Sequence, residues 1–376
     1  MKAAYIHIPF CEHICHYCDF NKVFLHGQPV DEYVDLLMKE IEITITETPV
    51  KQLKTIFVGG GTPTALNEKQ LERLCKGIRE NLPFEDGEFT FEANPGDLSI
   101  EKLQILKEYG VNRLSFGVQS FNNELLERIG RSHRVKDVYR SLDNAKKVGF
   151  DNISIDLIYA LPGQTINDFR ETLREALSLQ LPHYSSYSLI VEPKTVFYNL
   201  MRKGKLVLPS VEAETKMYET LIEEMESYGL SQYEISNFSK PGYESKHNLV
   251  YWDNEEYFGF GAGAHGYING VRYSNAGPLK KYMTPLVDHK RPIFNETILS
   301  IQEKMEEEMF LGLRKVEGVS LSRFKQRFDK DLEQVFQEAV TTMRNRGLLV
   351  VENGYIRLTT EGRFLGNEVF QSFLIS

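Results

Sequence analysis

Cysteine is scarce in this chain, with four in 376 residues, too few for a disulfide framework. No cationic start leads into an apolar signal segment, which places the chain in a reducing cytosol, where clustered cysteines bind metal more often than they pair. No run of about 18 apolar residues occurs, so no membrane span is predicted. A surplus of positive charge is also missing: 44 Lys and Arg stand against 53 Asp and Glu, a net charge of -9. That argues against a nucleic-acid binder and leaves docking to a membrane protein open. Low-complexity tracts and short repeats are absent, and tryptophan occurs once, at position 252. The length suits one large domain with a smaller companion.

Three of the four cysteines stand close together near the start, Cys11, Cys15 and Cys18 in CEHICHYC, directly after the stretch Ala3–Phe10. Three thiolates at this spacing can hold a 4Fe–4S cube by three corners, leaving the fourth iron open to a small ligand. A structural zinc site is the competing reading, with His13 or His16 as its fourth ligand. A disulfide would leave one thiol over. The fourth cysteine, Cys75, lies in the helical pattern Leu71–Lys76 and reads as an inert core thiol.

Residues 1–191 alternate between two periodicities. Strand-like runs occur at Ala3–Phe10, Thr55–Gly60, Phe89–Ala93, Arg113–Gln119, Ile153–Leu161 and Tyr184–Val191. Between them, Asp31–Thr46, Glu68–Asn81, Glu101–Tyr109, Val135–Val148 and Asp168–Leu179 have helical spacing. Strand and helix in alternation predict an α/β fold with a parallel sheet and right-handed crossovers. The pattern alone does not separate a partial barrel from a doubly wound sheet. From about 192 to 300 the chain is richer in turns and aromatics, and carries His247-Asn248-Leu249-Val250-Tyr251-Trp252 and the glycine-rich Gly259–Gly266. Beyond 301, Glu303–Leu313, Leu321–Phe328 and Leu332–Arg346 read as helices, and Gly347–Leu358 as a hairpin turning at Asn353-Gly354. Helices followed by a hairpin suggest a winged-helix-like module. Its eleven Lys and Arg against twelve Asp and Glu indicate no phosphate-binding surface, so it reads as a contact or covering domain. The expected division is 1–210, 211–300 and 301–376.

The loop from Tyr5 through Cys18, with Tyr17 just before the third cysteine, resembles the cluster loop of radical S-adenosylmethionine (SAM) enzymes, and most closely that of the oxygen-independent coproporphyrinogen III oxidase group. Further motifs follow in that group's order: Gly59-Gly60-Gly61-Thr62-Pro63, Phe91-Glu92-Ala93-Asn94-Pro95, Gly117-Val118-Gln119-Ser120-Phe121 and Asp156–Thr165. Two features depart from the true oxidases. Phe20 stands where those carry a further cysteine, and the HNxxYW string at 247–252 resembles the HemW-type heme chaperones of the group. The resemblance implies a partial (β/α)6 barrel with a smaller C-terminal helical domain, a 4Fe–4S cluster on Cys11, Cys15 and Cys18, and bound SAM. It also implies heme as cargo, delivery to a heme enzyme such as a respiratory protein, a cytoplasmic or peripheral membrane location, and a possible homodimer. No residue is assigned a catalytic role. Oxidative decarboxylation of coproporphyrinogen III is the alternative activity, and a zinc-stabilised binding module a third reading.

Site residues follow residue by residue. Gly60, Gly61 and Thr62 are expected to hold the methionine part of SAM, although a tight turn after a strand is the plainer explanation of three glycines. Glu92 ends a strand, where its carboxylate can accept two ribose hydroxyls. Gln119, Arg131 and Asp156 match polar positions that contact a second SAM in the oxidases. Asp156, flanked by Ile155 and Leu157, needs a partner because an unpaired carboxylate there is costly. Tyr5 and Tyr17 are expected to flank the adenine. His247 is the candidate axial ligand of heme iron, with Tyr251 and Trp252 packing on the macrocycle; His265 is a second candidate. A structural histidine is the commoner use of a lone imidazole.

Overall fold

The structure is a computed structural model and describes residues 2–374. Its first half lays down parallel strands β1 (Ala3–Ile8), β2 (Thr55–Gly60), β3 (Glu88–Ala93), β4 (Arg113–Gln119), β5 (Asn152–Tyr159) and β6 (His183–Ser188), paired in chain order. Nearly every residue of β1 to β4 is buried. These strands are covered on both faces, which is why they read as continuous apolar runs rather than as alternation.

Helices bridge successive strands. The helix Glu68–Asn81 starts at a reciprocal cap between Asn67 and Gln70, and Ile166–Ser178 at one between Thr165 and Asp168. In the first, Leu71, Leu74, Cys75 and Ile78 are buried, the i, i+3, i+4, i+7 stripe that faces a sheet. Cys75 is fully buried in that stripe, and burial pushes its thiol pKa up.

The sheet continues past the expected six strands. Strand β7 (Ser231–Glu234) and β8 (Asn237–Ser239) add antiparallel at the β6 edge. On the other side β9 (Tyr257–Phe260) pairs parallel with β1, and β10 (His265–Ile268), β11 (Val271–Asn275) and β12 (Ile293–Ile298) follow antiparallel. The resulting order of twelve strands is β12-β11-β10-β9-β1-β2-β3-β4-β5-β6-β8-β7. The α/β expectation holds, and the sheet is larger than the sequence suggested. β1, which leads into the cysteine loop, sits between β2 and β9 rather than at an edge.

Residues from 301 onward hold a separate apolar cluster that includes Met309, Phe324, Phe336, Ile356 and Phe373. The helices are Ile301–Gly312, Leu321–Phe328, Leu332–Val335 and Gln337–Asn345, so the expected helix over 332–346 breaks at Phe336. The hairpin Leu349–Glu352 and Tyr355–Leu358 turns at Asn353 and Gly354, both at positive φ (52° and 81°), the geometry a two-residue Asn-Gly turn supplies. Glu308 is nearly buried and pairs with Arg327 at 2.7 Å, while Arg323 reaches Asp253 at 3.2 Å. The Arg323–Asp253 pair, with Arg327 donating to the Asn254 carbonyl at 2.7 Å, ties the module to the segment following the HNLVYW helix.

Candidate functional site

The C-terminal ends of the parallel strands open into a cleft of about 420 Å³, where α/β sheets of this kind place ligands. Cys11, Cys15, Cys18, Tyr17, Gly60, Gly61, Thr62, Glu92, Gln119, Arg131 and Asp156 all line it. Positions spread over 146 residues of chain (11 to 156) thus meet in one place, because most lie in or just after strands of the same sheet, and Arg131 follows the helix Asn123–Arg128.

All four cysteines are free thiols. Each sulfur in the cleft has a polar hydrogen directed at it. The Thr62 hydroxyl lies 3.6 Å from Cys11 Sγ, and Arg131 Nη1 lies 3.4 Å from Cys15 Sγ. The Phe20 backbone N–H points at Cys18. Such donors are what thiolate ligands of an iron–sulfur cluster need around them. Without metal the same burial raises the thiols: Cys11 is pushed up to about 11, chiefly by burial, and Cys18 upward for the same reason. Among the described residues no three His, Cys, Asp or Glu side chains converge as ligands of one metal ion would. A cube meets its thiolates at separate corners and does not require that convergence.

Arg131 is the hub of the polar wall. Its Nη2 donates to Asn94 Oδ1 and to the Gly117 carbonyl, both at 2.6 Å. Asn94 in turn donates to the Thr62 hydroxyl at 3.0 Å. A chain of hydrogen bonds therefore links the sulfur of Cys15 to that of Cys11 through Arg131, Asn94 and Thr62. The strand pairing between β4 and β5 slips between Gly117 and Gln119, and Gln119 has φ of 68°. A bulge there re-aims the side chain into the cleft.

Glu92 Oε2 accepts the Gly60 N–H at 3.0 Å. Its carboxyl is pushed up to about 8, by burial first and then by the charge of Asp156, against the Gly60 hydrogen bond and Arg113. Asp156 is also raised, chiefly by burial; the Ser115 hydroxyl donates to it at 3.2 Å. The glycines serve the fold as well as the cleft. A Cβ on Gly60 (φ 112°) would lie 2.4 Å from the His7 ring, and one on Gly61 2.8 Å from the Phe10 carbonyl oxygen. Both let the cysteine loop pack onto the end of β2.

Two expected residues are not in the cleft. Tyr5 lies on β1 opposite Phe57, one layer below the opening; its ring stacks on Phe57 and its hydroxyl bonds His7 Nδ1 at 2.9 Å. It supports His7, which meets the Asn21 carbonyl at 2.7 Å, and it is not among the side chains that line the cleft. His247 sits at the opposite end of the sheet. Its neighbours Thr55 and Glu88 are the first residues of β2 and β3. It is 1 % exposed, Nδ1 meets Thr55 Oγ1 at 2.9 Å, Nε2 meets Tyr251 Oη at 2.8 Å, and the ring stacks on Phe57. Burial lowers it to about 3. With both nitrogens committed and no exposure, this side chain has no lone pair for heme iron, and the expected ligand role is corrected to a packing one. Tyr251 is half-buried, with its ring edge-on to His247 and Tyr257, and Trp252 lies under Arg314 at 5.0 Å, beside the C-terminal module. His265 is exposed at the start of β10, away from the cleft.

Sequence reasoning missed Ser115, Lys22, Tyr187 and Ile190 as lining residues, and the bridging role of Asn94. Asn94 stood in a quoted motif; the others carry no local signal and are brought in by tertiary packing.

Comparison with known proteins agrees with this geometry. Residues 5–176 match the radical SAM superfamily, and residues 299–365 match the HemN C-terminal domain. A Bacillus subtilis protein named heme chaperone HemW is 56 % identical over 376 residues, covering 100 % of this chain and 99 % of that one. The heme chaperone HemW of Lactococcus lactis is 49 % identical, covering 100 % and 97 %. Among solved structures, coproporphyrinogen III oxidase (HemN) from Escherichia coli, a radical SAM enzyme, superposes with a TM-score of 0.86 at 26 % identity, covering 99 % of this chain and 90 % of that one.

Proposed function

Since the chain belongs to the HemW family within the radical SAM superfamily, we propose that it is a heme carrier that keeps a 4Fe–4S cluster and SAM in its cleft and delivers heme to a heme enzyme, such as a respiratory protein, at the membrane face where the recipient lies there. No helix among the described residues is long and apolar enough to cross a membrane.

Cys11, Cys15 and Cys18 would hold the cluster by three irons, with Thr62, Arg131 and the Phe20 amide polarising the sulfurs. When bound, the cluster supplies one-electron reducing chemistry toward a sulfonium. Gly60, Gly61 and Thr62 would receive the methionine part of SAM, and Glu92 its ribose. Burial raises both Glu92, to about 8, and Asp156 in the ligand-free cleft. Tyr17 and Arg131 close its wall.

The observation that carries the carrier reading over the oxidase reading is Phe20. It lines the cleft, is 61 % exposed, and occupies the position at which the oxidases place a further cysteine. An apolar ring held in water at the mouth suits a flat apolar cargo. The test uses anaerobically reconstituted protein. It should retain about four irons per chain, lose them in Cys18→Ala, bind heme on titration, and release no carbon dioxide from coproporphyrinogen III. Steady decarboxylation would establish the oxidase activity instead.

A further inference from the structure

The chain has nine histidines. Five have ring nitrogens in hydrogen bonds: His7, His16, His133, His183 and His247. The other four, His13, His26, His265 and His289, are exposed, with no hydrogen-bond partner among the described residues. Of these four only His13 lines the cleft. It stands between Cys11 and Cys15 and is exposed.

Around it the rim is apolar and wet. Phe20 is 61 % exposed, Ile190 68 % and Tyr187 42 %, and Ile14 is half-buried; all line the same cleft as His13. They come from two separate segments, the cysteine loop and the end of β6 with the connection leaving it, so the patch is assembled by the fold. The base of the cleft is polar, with Arg131, Glu92 and Asp156. A volume of about 420 Å³ already has to admit a cluster and SAM, which leaves a macrocycle the rim.

We propose that heme docks on this rim, with His13 as the protein ligand of its iron and Phe20, Tyr187 and Ile190 against its apolar faces. This inference rests on the carrier reading above and gives it a site in place of His247. An unengaged imidazole offers a lone pair without first breaking a hydrogen bond. The rings and the aliphatic side chain would lose water-exposed apolar surface on docking. The open mouth leaves the propionates in solvent. A cargo held at the surface by one side-chain ligand can leave without unfolding the protein, as delivery requires.

The test is heme titration of full-length, cluster-loaded protein, followed by Soret absorbance and electron paramagnetic resonance. His13→Ala should weaken heme binding by at least about tenfold, since even losing an outer-shell partner of a metal ligand costs that much, with iron and sulfide of the cluster unchanged. His13→Met should shift the Soret band through a changed axial ligand. Phe20→Ser should weaken binding while keeping the wild-type ligand spectrum. Unchanged affinity and spectrum in His13→Ala, with heme still taken up by the wild type, overturns the site and leaves the carrier reading standing. Loss of cluster iron in His13→Ala makes His13 a cluster ligand and also overturns the site. A wild type that takes up no heme at all overturns the carrier reading itself.

Discussion

Glu92 permits a quantitative test of the cofactor cleft. Its carboxyl is pushed up to about 8 by burial and by Asp156. At about pH 7 such a group is roughly nine-tenths neutral, and at about pH 9 roughly nine-tenths ionised. Ribose hydroxyls donate to the ionised form. Binding through Glu92 at neutral pH therefore includes the cost of removing its proton, about 1.4 kcal/mol for one pH unit. The affinity for SAM should rise about tenfold between those two pH values on account of this residue. Glu92→Gln keeps the volume and removes the titration. It should also bind more weakly at the higher pH, by the roughly 1.5–3 kcal/mol that a hydrogen bond to a charged group contributes. The amino group of SAM titrates in the same window, but equally in both proteins, so the ratio of their affinities isolates Glu92. Calorimetric titration of cluster-loaded protein under anaerobic conditions measures it. A ratio that stays flat with pH would refute the placement of Glu92 at the ribose.

Two further outcomes follow from buried groups. Glu40 accepts hydrogen bonds from Tyr282, Asn275 and the Gly261 amide, and burial pushes it up to about 7. A folded-state pKa above the unfolded value of 4.5 gives stability that is present at low pH and lost as pH rises toward 7, by up to about 3 kcal/mol. Glu40→Gln should flatten that decline in urea-unfolding free energies measured from about pH 4.5 to about pH 7; parallel curves for the two proteins would count against it. His247→Ala should cost about 2–4 kcal/mol by removing two buried hydrogen bonds and the Phe57 stack, while heme affinity stays as in the wild type. A weakened heme affinity at unchanged melting temperature would restore the ligand role.

Much of the fold was legible because its elements are locally determined. The bounds of Glu68–Asn81, Thr55–Gly60 and Arg113–Gln119 follow from caps, apolar period and flanking glycines, and the structure has them at the same residues. Strand β9 was not legible. Gly259 and the glycines after it read as loop, and its pairing with β1 depends on residues far away in the chain. The helix break at Phe336 is similar, since that ring turns into the C-terminal core beside Phe324 and Phe373. In the site, the cysteine spacing and the strand-end motifs pointed to the cysteines and the polar floor, while the rim from Tyr187 to Glu192 had no local signal. His247 was misplaced for a physical reason. A motif says that a residue matters, and burial together with hydrogen-bond partners decides for what. The HNLVYW helix ties strand starts to the C-terminal module, so its unusual composition reflects packing on several sides at once.

The central place of β1 has a consequence for biosynthesis. Its residues are made before the rest of the sheet, yet one of its two neighbours, β9, follows about 250 residues later. The Asn21 amide, just past the cysteines, donates to the carbonyls of Ala262 and Gly277. Until that late segment emerges, the base of the cysteine loop lacks the neighbouring strand and the two carbonyls that hold Asn21. The cysteine loop therefore takes its final setting only after most of the sheet has been made, a long-range closure late in the chain.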